Sequence, residues 1–141
     1  MSAQRNSDSV PAASSSSWQS ARLLVTDEFA APPVILRVGD SVIGTLGNFS
    51  ASTGKAKSKK TFNVCAIVAA AMTGGTVLNY SASLPPRKRR ILYVDTEQSR
   101  FHCKRVLCRI LRLAGLPTDA HPPLLEFLCL RGYATKERLR K

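Results

Sequence analysis

An α/β fold with a parallel sheet is what this sequence predicts, and three observations predict it. Two stretches read as helices, 62–72 apolar nearly all round and 101–113 with apolar residues at helical spacing, and each closes on glycine. Two short apolar runs, the continuous 91–94 and 124–130 broken only by Glu126, alternate with them as buried strands do. A lysine-rich loop opened by Gly54 leads directly into the first helix. The order strand, helix, strand, helix, strand calls for β-α-β crossovers and a sheet covered on both faces.

Each element has its local reason. Residues 1–22 are mostly Ser, Ala, Gln and Asn, including the run Ser14 to Ser17, too polar to offset their ordering entropy. They are expected to form a disordered arm ahead of a single domain at 23–141. Leu23-Leu24-Val25 is the first apolar run, and Pro32-Pro33 then punctuates the chain. Val34 to Leu36 and Val42-Ile43 flank Gly39-Asp40, the pattern of a hairpin. Leu46 to Thr53 is expected to be a strand with a thin apolar face. Phe62 to Met72 is apolar nearly all round, which predicts a buried helix, and Gly74-Gly75 stops it. Ile91-Leu92-Tyr93-Val94 predicts a buried parallel strand. Phe101, Val106, Leu107, Ile110, Leu111 and Leu113 form the apolar face of a second helix closed by Gly115 and Pro117. Leu124 to Leu130 predicts another buried strand, and Thr135 to Lys141 the opening of one more helix. With only about three core strands, the domain reads as the front portion of a larger one.

Composition narrows the function. Of 141 residues, 44% are hydrophobic and 21% charged, which excludes a wholly disordered chain. The longest apolar stretch is far below the roughly 20 residues of a membrane-spanning helix, so no membrane partner is expected. The net charge of +12 is lopsided: residues 1–54 carry net −1 and residues 55–141 net +13. A field of that sign attracts phosphate, on a nucleotide or on nucleic acid. The four cysteines, Cys65, Cys103, Cys108 and Cys129, match no zinc spacing and are expected as buried thiols. Reduced cysteines and no export signal predict a cytoplasmic protein.

Gly54-Lys55-Ala56-Lys57-Ser58-Lys59-Lys60-Thr61 follows the phosphate-loop pattern G-x-x-x-x-G-K-[ST], with Gly54, Lys60 and Thr61 in register. Amides at a helix start cradle phosphates, the lysine reaches the β/γ oxygens, and the threonine hydroxyl serves Mg²⁺. Lys59 stands where the pattern has its second glycine, and is expected to fit only with helical φ/ψ and an outward side chain. The competing reading is a solvated lysine turn.

With Asp95-Thr96-Glu97-Gln98 at the end of the next strand, GKAKSKKT and ILYVDTEQ together resemble the RecA-like P-loop ATPases, most closely the bacterial replicative-helicase-like and mobile-element ATPases of AAA type. The resemblance covers about residues 34–140. It implies a partial three-layer α/β/α domain, ATP and Mg²⁺ as cofactors, and a parent that forms homo-oligomers and acts on DNA. It also implies that Glu97 is the catalytic glutamate that polarises the attacking water, and that the Walker B carboxylate lies further along the family's fold. Two other readings stay open: Asp95 as the Mg²⁺-supporting Walker B residue, and a strand-end acid without catalytic role. LLVTDE at 23–28 imitates such a strand but precedes the loop. Nucleotide binding without efficient hydrolysis is the expectation for this chain, and the alternative is a basic, non-catalytic module that binds DNA or a partner. Arg87-Lys88-Arg89-Arg90 and the cations of the second helix (Arg100, Lys104, Arg105, Arg109, Arg112) are either solvated faces or DNA contacts.

Overall fold

The computed structural model describes residues 21–55 and 59–134. The chain divides into two units, Met1–Ala31 and Pro32–Lys141. In the first, a turn at 24–27 is closed by the Asp27 amide on the Leu24 carbonyl (3.1 Å) and by the Leu24 amide on the Asp27 carboxylate (2.8 Å). Leu23, Leu24, Val25 and Phe29 are exposed there. Most of the arm at 1–22 and the helix expected at 135–141 lie outside the described residues.

Among its described residues the second unit is mixed α/β with two helices, two sheets and one parallel pair. Its elements are β1 (Val34–Val38), β2 (Ser41–Thr45), α1 (Lys60–Thr73), β3 (Thr76–Val77), β4 (Tyr80–Ala82), β5 (Ile91–Asp95), α2 (Arg100–Leu113) and β6 (Leu125–Cys129). β1 and β2 form the expected hairpin, paired from Val38↔Ser41 outward. Gly39 sits at φ 53 in its two-residue loop, a conformation glycine adopts without steric cost. The antiparallel sheet runs β2-β1-β4-β3, and β5 pairs with β6 in parallel, Ile91 opposite Leu125 and Asp95 opposite Cys129.

Three expectations are corrected. Residues 46–53 form no strand: Gly47, Asn48, Ser50, Ser52 and Thr53 leave too few apolar side chains to reward pairing, and the chain runs irregularly towards the loop. The chain leading into Gly54 therefore does not join the parallel pair. The β5–β6 pair is covered on one face only among the described residues. Ile91, Tyr93, Leu125 and Phe127 face the core, whereas Leu92 is 61% and Val94 45% exposed. Phe101 leaves the apolar face of its helix and is 68% exposed.

α1 explains its own composition. It packs on β3 and β4 and on α2 and β5, so most of its length is covered, with Lys60, Phe62 and Asn63 of the first turn and Thr73 at the end left exposed. Cys65, Ala66, Ala69 and Ala70 are fully buried, and their small side chains let the neighbours approach closely. Gly74 ends the helix at φ 67, its amide returning to the Ala70 carbonyl at 2.9 Å. Val68 and Met72 of α1 meet Val106, Ile110 and Leu111 of α2 over Leu125. Tyr93 and Phe127 stack beneath them, ring centroids 4.4 Å apart.

Burial, with the nearby Cys65 and Asp95, pushes the Tyr93 hydroxyl from 10.0 to about 12. Burial, a hydrogen bond with Cys129 and the Asp95 charge push the Cys103 thiol from 9.0 to about 11. Both folded values lie above the unfolded ones, so the stability these groups contribute is complete below pH 9.0 and is lost as pH climbs towards 12. The melting temperature should fall through that window, and Tyr93→Phe should flatten the upper part of the fall. A Tyr93→Phe curve superimposable on the parent's would remove the tyrosine from this account.

Candidate functional site

Two groups of residues bear on function, one at the start of α1 and one at the carboxyl end of β5. At the first, Gly54 and Lys55 are exposed, and Lys59, Lys60 and Thr61 lead into the helix; Ala56, Lys57 and Ser58 lie outside the described residues. The Lys60 ammonium donates to the Gly54 carbonyl at 2.6 Å, closing the loop on its own first glycine. α1 has no side-chain cap and no acidic residue in its first turn; the Phe62 amide is taken by the Lys59 carbonyl at 2.9 Å, and the positive end of the dipole faces the loop. Thr61 is half-buried in that turn.

Lys59 is not helical in the expected sense. It occupies the left-handed region at φ 58, ψ 20, as the residue that turns the loop into α1. This is the backbone that favours glycine, the residue the phosphate-loop pattern has at this position. An L side chain there costs about 1–2 kcal/mol. Lys59→Gly should therefore stabilise the fold by about 0.5–1 kcal/mol after the greater freedom of glycine in the unfolded chain is subtracted. Lys59→Val should destabilise it, because β-branching resists positive φ. Thermal unfolding of both variants checks this, and a lower midpoint for Lys59→Gly contradicts the strain.

At the second group, Asp95 ends β5 and is 8% exposed, the one buried charged residue among those described. Its Oδ1 accepts from the amides of Glu97 (2.9 Å) and Gln98 (2.7 Å), and its Oδ2 from the Gln98 side-chain amide (2.8 Å). The carboxylate thus folds residues 96–98 into a turn over the start of α2. Ser99 caps that helix, accepting from the His102 amide and lying 2.9 Å from His102 Nδ1. Glu97 is held by its amide while its side chain stays exposed.

Comparison with protein-family models, with curated proteins and with solved structures finds no match for this chain. The site therefore rests on its own geometry.

Lys60 is brought onto Gly54, and Asp95, Glu97 and Gln98 are gathered in one turn. No hydrogen bond joins the two groups among the described residues. Among those residues no group of three metal-ligating side chains gathers either. Sequence reasoning missed the Gln98 contact with Asp95 and the Ser99 cap. A serine directly before a periodic apolar run was the available signal for Ser99; the Gln98 contact depends on the turn itself.

The remaining cations among the described residues are exposed, apart from half-buried Arg109. Arg87 to Arg90 precede β5, so a strand of roughly 16 Å separates them from Asp95 at its far end. Arg89 also lies against the carboxyl end of α1, its Nη2 3.3 Å from the point where a Cβ on Gly74 would sit, a favourable place for a cation. On α2, Phe101, Lys104, Arg105, Cys108, Arg109 and Arg112 line a cleft of about 340 Å³. Among the described residues no helix is long and apolar enough to cross a membrane.

Proposed function

We propose that this chain binds ATP with Mg²⁺ through residues 54–61, as the front portion of a RecA-like three-layer ATPase domain whose parent acts on DNA. The observation that carries the reading is the left-handed Lys59 beside a Lys60 ammonium turned back onto Gly54. A loop so closed presents cation, helix amides and hydroxyl on one short stretch. In this reading Lys60 binds the β/γ-phosphate oxygens in exchange for the Gly54 carbonyl, the uncapped amides of α1 take the remaining phosphate oxygens, and the Thr61 hydroxyl holds the metal. Mg²⁺, when bound, neutralises phosphate charge. Glu97 is the proposed base that orients water. Asp95 is the weaker candidate for supporting the metal, because both its oxygens are already engaged in the turn.

Thermal stabilisation by ATP and Mg²⁺ tests the proposal, since a ligand selective for the native state raises its stability by about 2.7 kcal/mol at a hundred times Kd. An unmoved melting curve at millimolar ATP rejects it.

The exposed basic residues favour one second reading, a DNA- or partner-binding module. If DNA is the partner, affinity should fall with salt at a log–log slope of about −0.9 per phosphate contacted on duplex. Replacing Arg87, Lys88, Arg89 and Arg90 by serine should flatten the slope. Binding indifferent to salt would exclude an electrostatic mode.

A further inference from the structure

Cys103, near the start of α2, and Cys129, at the end of β6, are distant in sequence but aim at one acceptor. Cys103 Sγ lies 3.7 Å and Cys129 Sγ 3.5 Å from the carbonyl oxygen of Gln98. The two thiols differ in access. Cys103 is 3% exposed, whereas Cys129 is half-buried and walls two clefts of about 340 and 220 Å³ at the carboxyl end of β6. Cys129 is the sulfur that a molecule of a few atoms can reach from those clefts, and Cys103 lines neither of them.

We propose that Cys129 and Cys103 form an oxidisable dithiol, in which Cys129 takes a peroxide and Cys103 closes a disulfide onto it. The Cys129 sulfur attacks one peroxide oxygen and the O–O bond breaks. Hydroxide leaves, is protonated to water, and Cys129 becomes a sulfenic acid. The Cys103 sulfur then attacks the Cys129 sulfur, the S–O bond breaks, and a second water leaves with the Cys103 proton. Two thiols are oxidised by two electrons in all, and one peroxide is reduced to two waters. The raised Cys103 pKa keeps that sulfur mostly protonated and so slows the second step.

The disulfide removes both S–H donors from the Gln98 carbonyl, in the residue whose amides hold Asp95 and so shape the turn bearing Glu97. Control of Glu97 by this bond rests on the proposed ATPase reading. The dithiol itself does not.

The test treats the native full chain with hydrogen peroxide, quenches with N-ethylmaleimide under denaturing conditions, and maps the digest by mass spectrometry. The expected result is a chain lighter by two hydrogens, a linked Cys103–Cys129 peptide, and maleimide on Cys65 and Cys108. The double variant Cys65→Ser/Cys108→Ser should keep the link. In Cys129→Ser, Cys103 should remain reduced, because the accessible sulfur is gone. Circular dichroism verifies that each variant is folded, and the parent chain alone decides the matter should one fail to fold. Full labelling of Cys103 and Cys129 after peroxide, or a link between any other pair, overturns the proposal. ATP binding is measured separately, so loss of that reading leaves the thiol result standing.

Discussion

Lys60→Ala abolishes ATP binding in a direct titration, if residues 54–61 are the nucleotide site. The substitution removes the side chain that folds back onto the loop through the 2.6 Å contact with Gly54. It also removes the cation proposed at the β/γ-phosphates. Losing one member of a close charge pair costs about 3 kcal/mol or more, which weakens affinity by more than roughly a hundredfold. The fold should survive, because Lys60 is exposed and alanine is a better helix former. Lys60→Arg keeps the charge but spreads it over a planar fork, and should retain a part of the affinity. Unchanged affinity in Lys60→Ala would move the nucleotide elsewhere or remove it altogether.

Asp95→Ala has the largest expected effect on stability. It leaves two backbone amides and the Gln98 side chain without the acceptor they share, at a site that is 8% exposed. Unsatisfied donors of this kind cost about 1–3 kcal/mol each, partly recovered where water reaches the turn. A total of about 3 kcal/mol lowers the melting temperature of a domain this size by roughly 10 °C. Glu97→Gln is the informative partner. Its side chain is exposed, so stability should change by less than about 0.5 kcal/mol. Any phosphate release by the chain should disappear in it. The pair separates a residue that builds the turn from one that works on it. An Asp95→Ala protein as stable as its parent would free that carboxylate for the metal.

Much of the secondary structure was legible because its causes are local. The second helix announces itself by period, the first by an apolar run of helical length, each with a closing glycine, and the β1–β2 hairpin by Gly39-Asp40 between apolar runs. β3 and β4 were not legible. With two and three residues, they exist only through pairing with each other and with β1, a partner set by the whole fold. The all-round apolarity of α1 foretold burial but not what would bury it. At 54–61 the pattern located Lys60 and Thr61, and it marked Lys59 as the discordant residue, though the sign of its φ had to come from the structure. Asp95 stood out as a strand-end acid. That its carboxylate is consumed by Glu97 and Gln98 depends on a turn whose shape no residue type fixes alone. The convergence of Cys103 and Cys129 on Gln98 is further still from the sequence, since it follows from docking α2 against β6.

The position of α1 bears on how the protein comes apart. Both sheets lean on this one helix, the antiparallel one through β3 and β4 and the parallel pair through β5. Neither can lose it and keep its hydrophobic face dry. The amides of β1 and β4 should therefore exchange with deuterated water at the same opening free energy as those of β5, in a single cooperative event. Two sheets that share no strand would melt as one body.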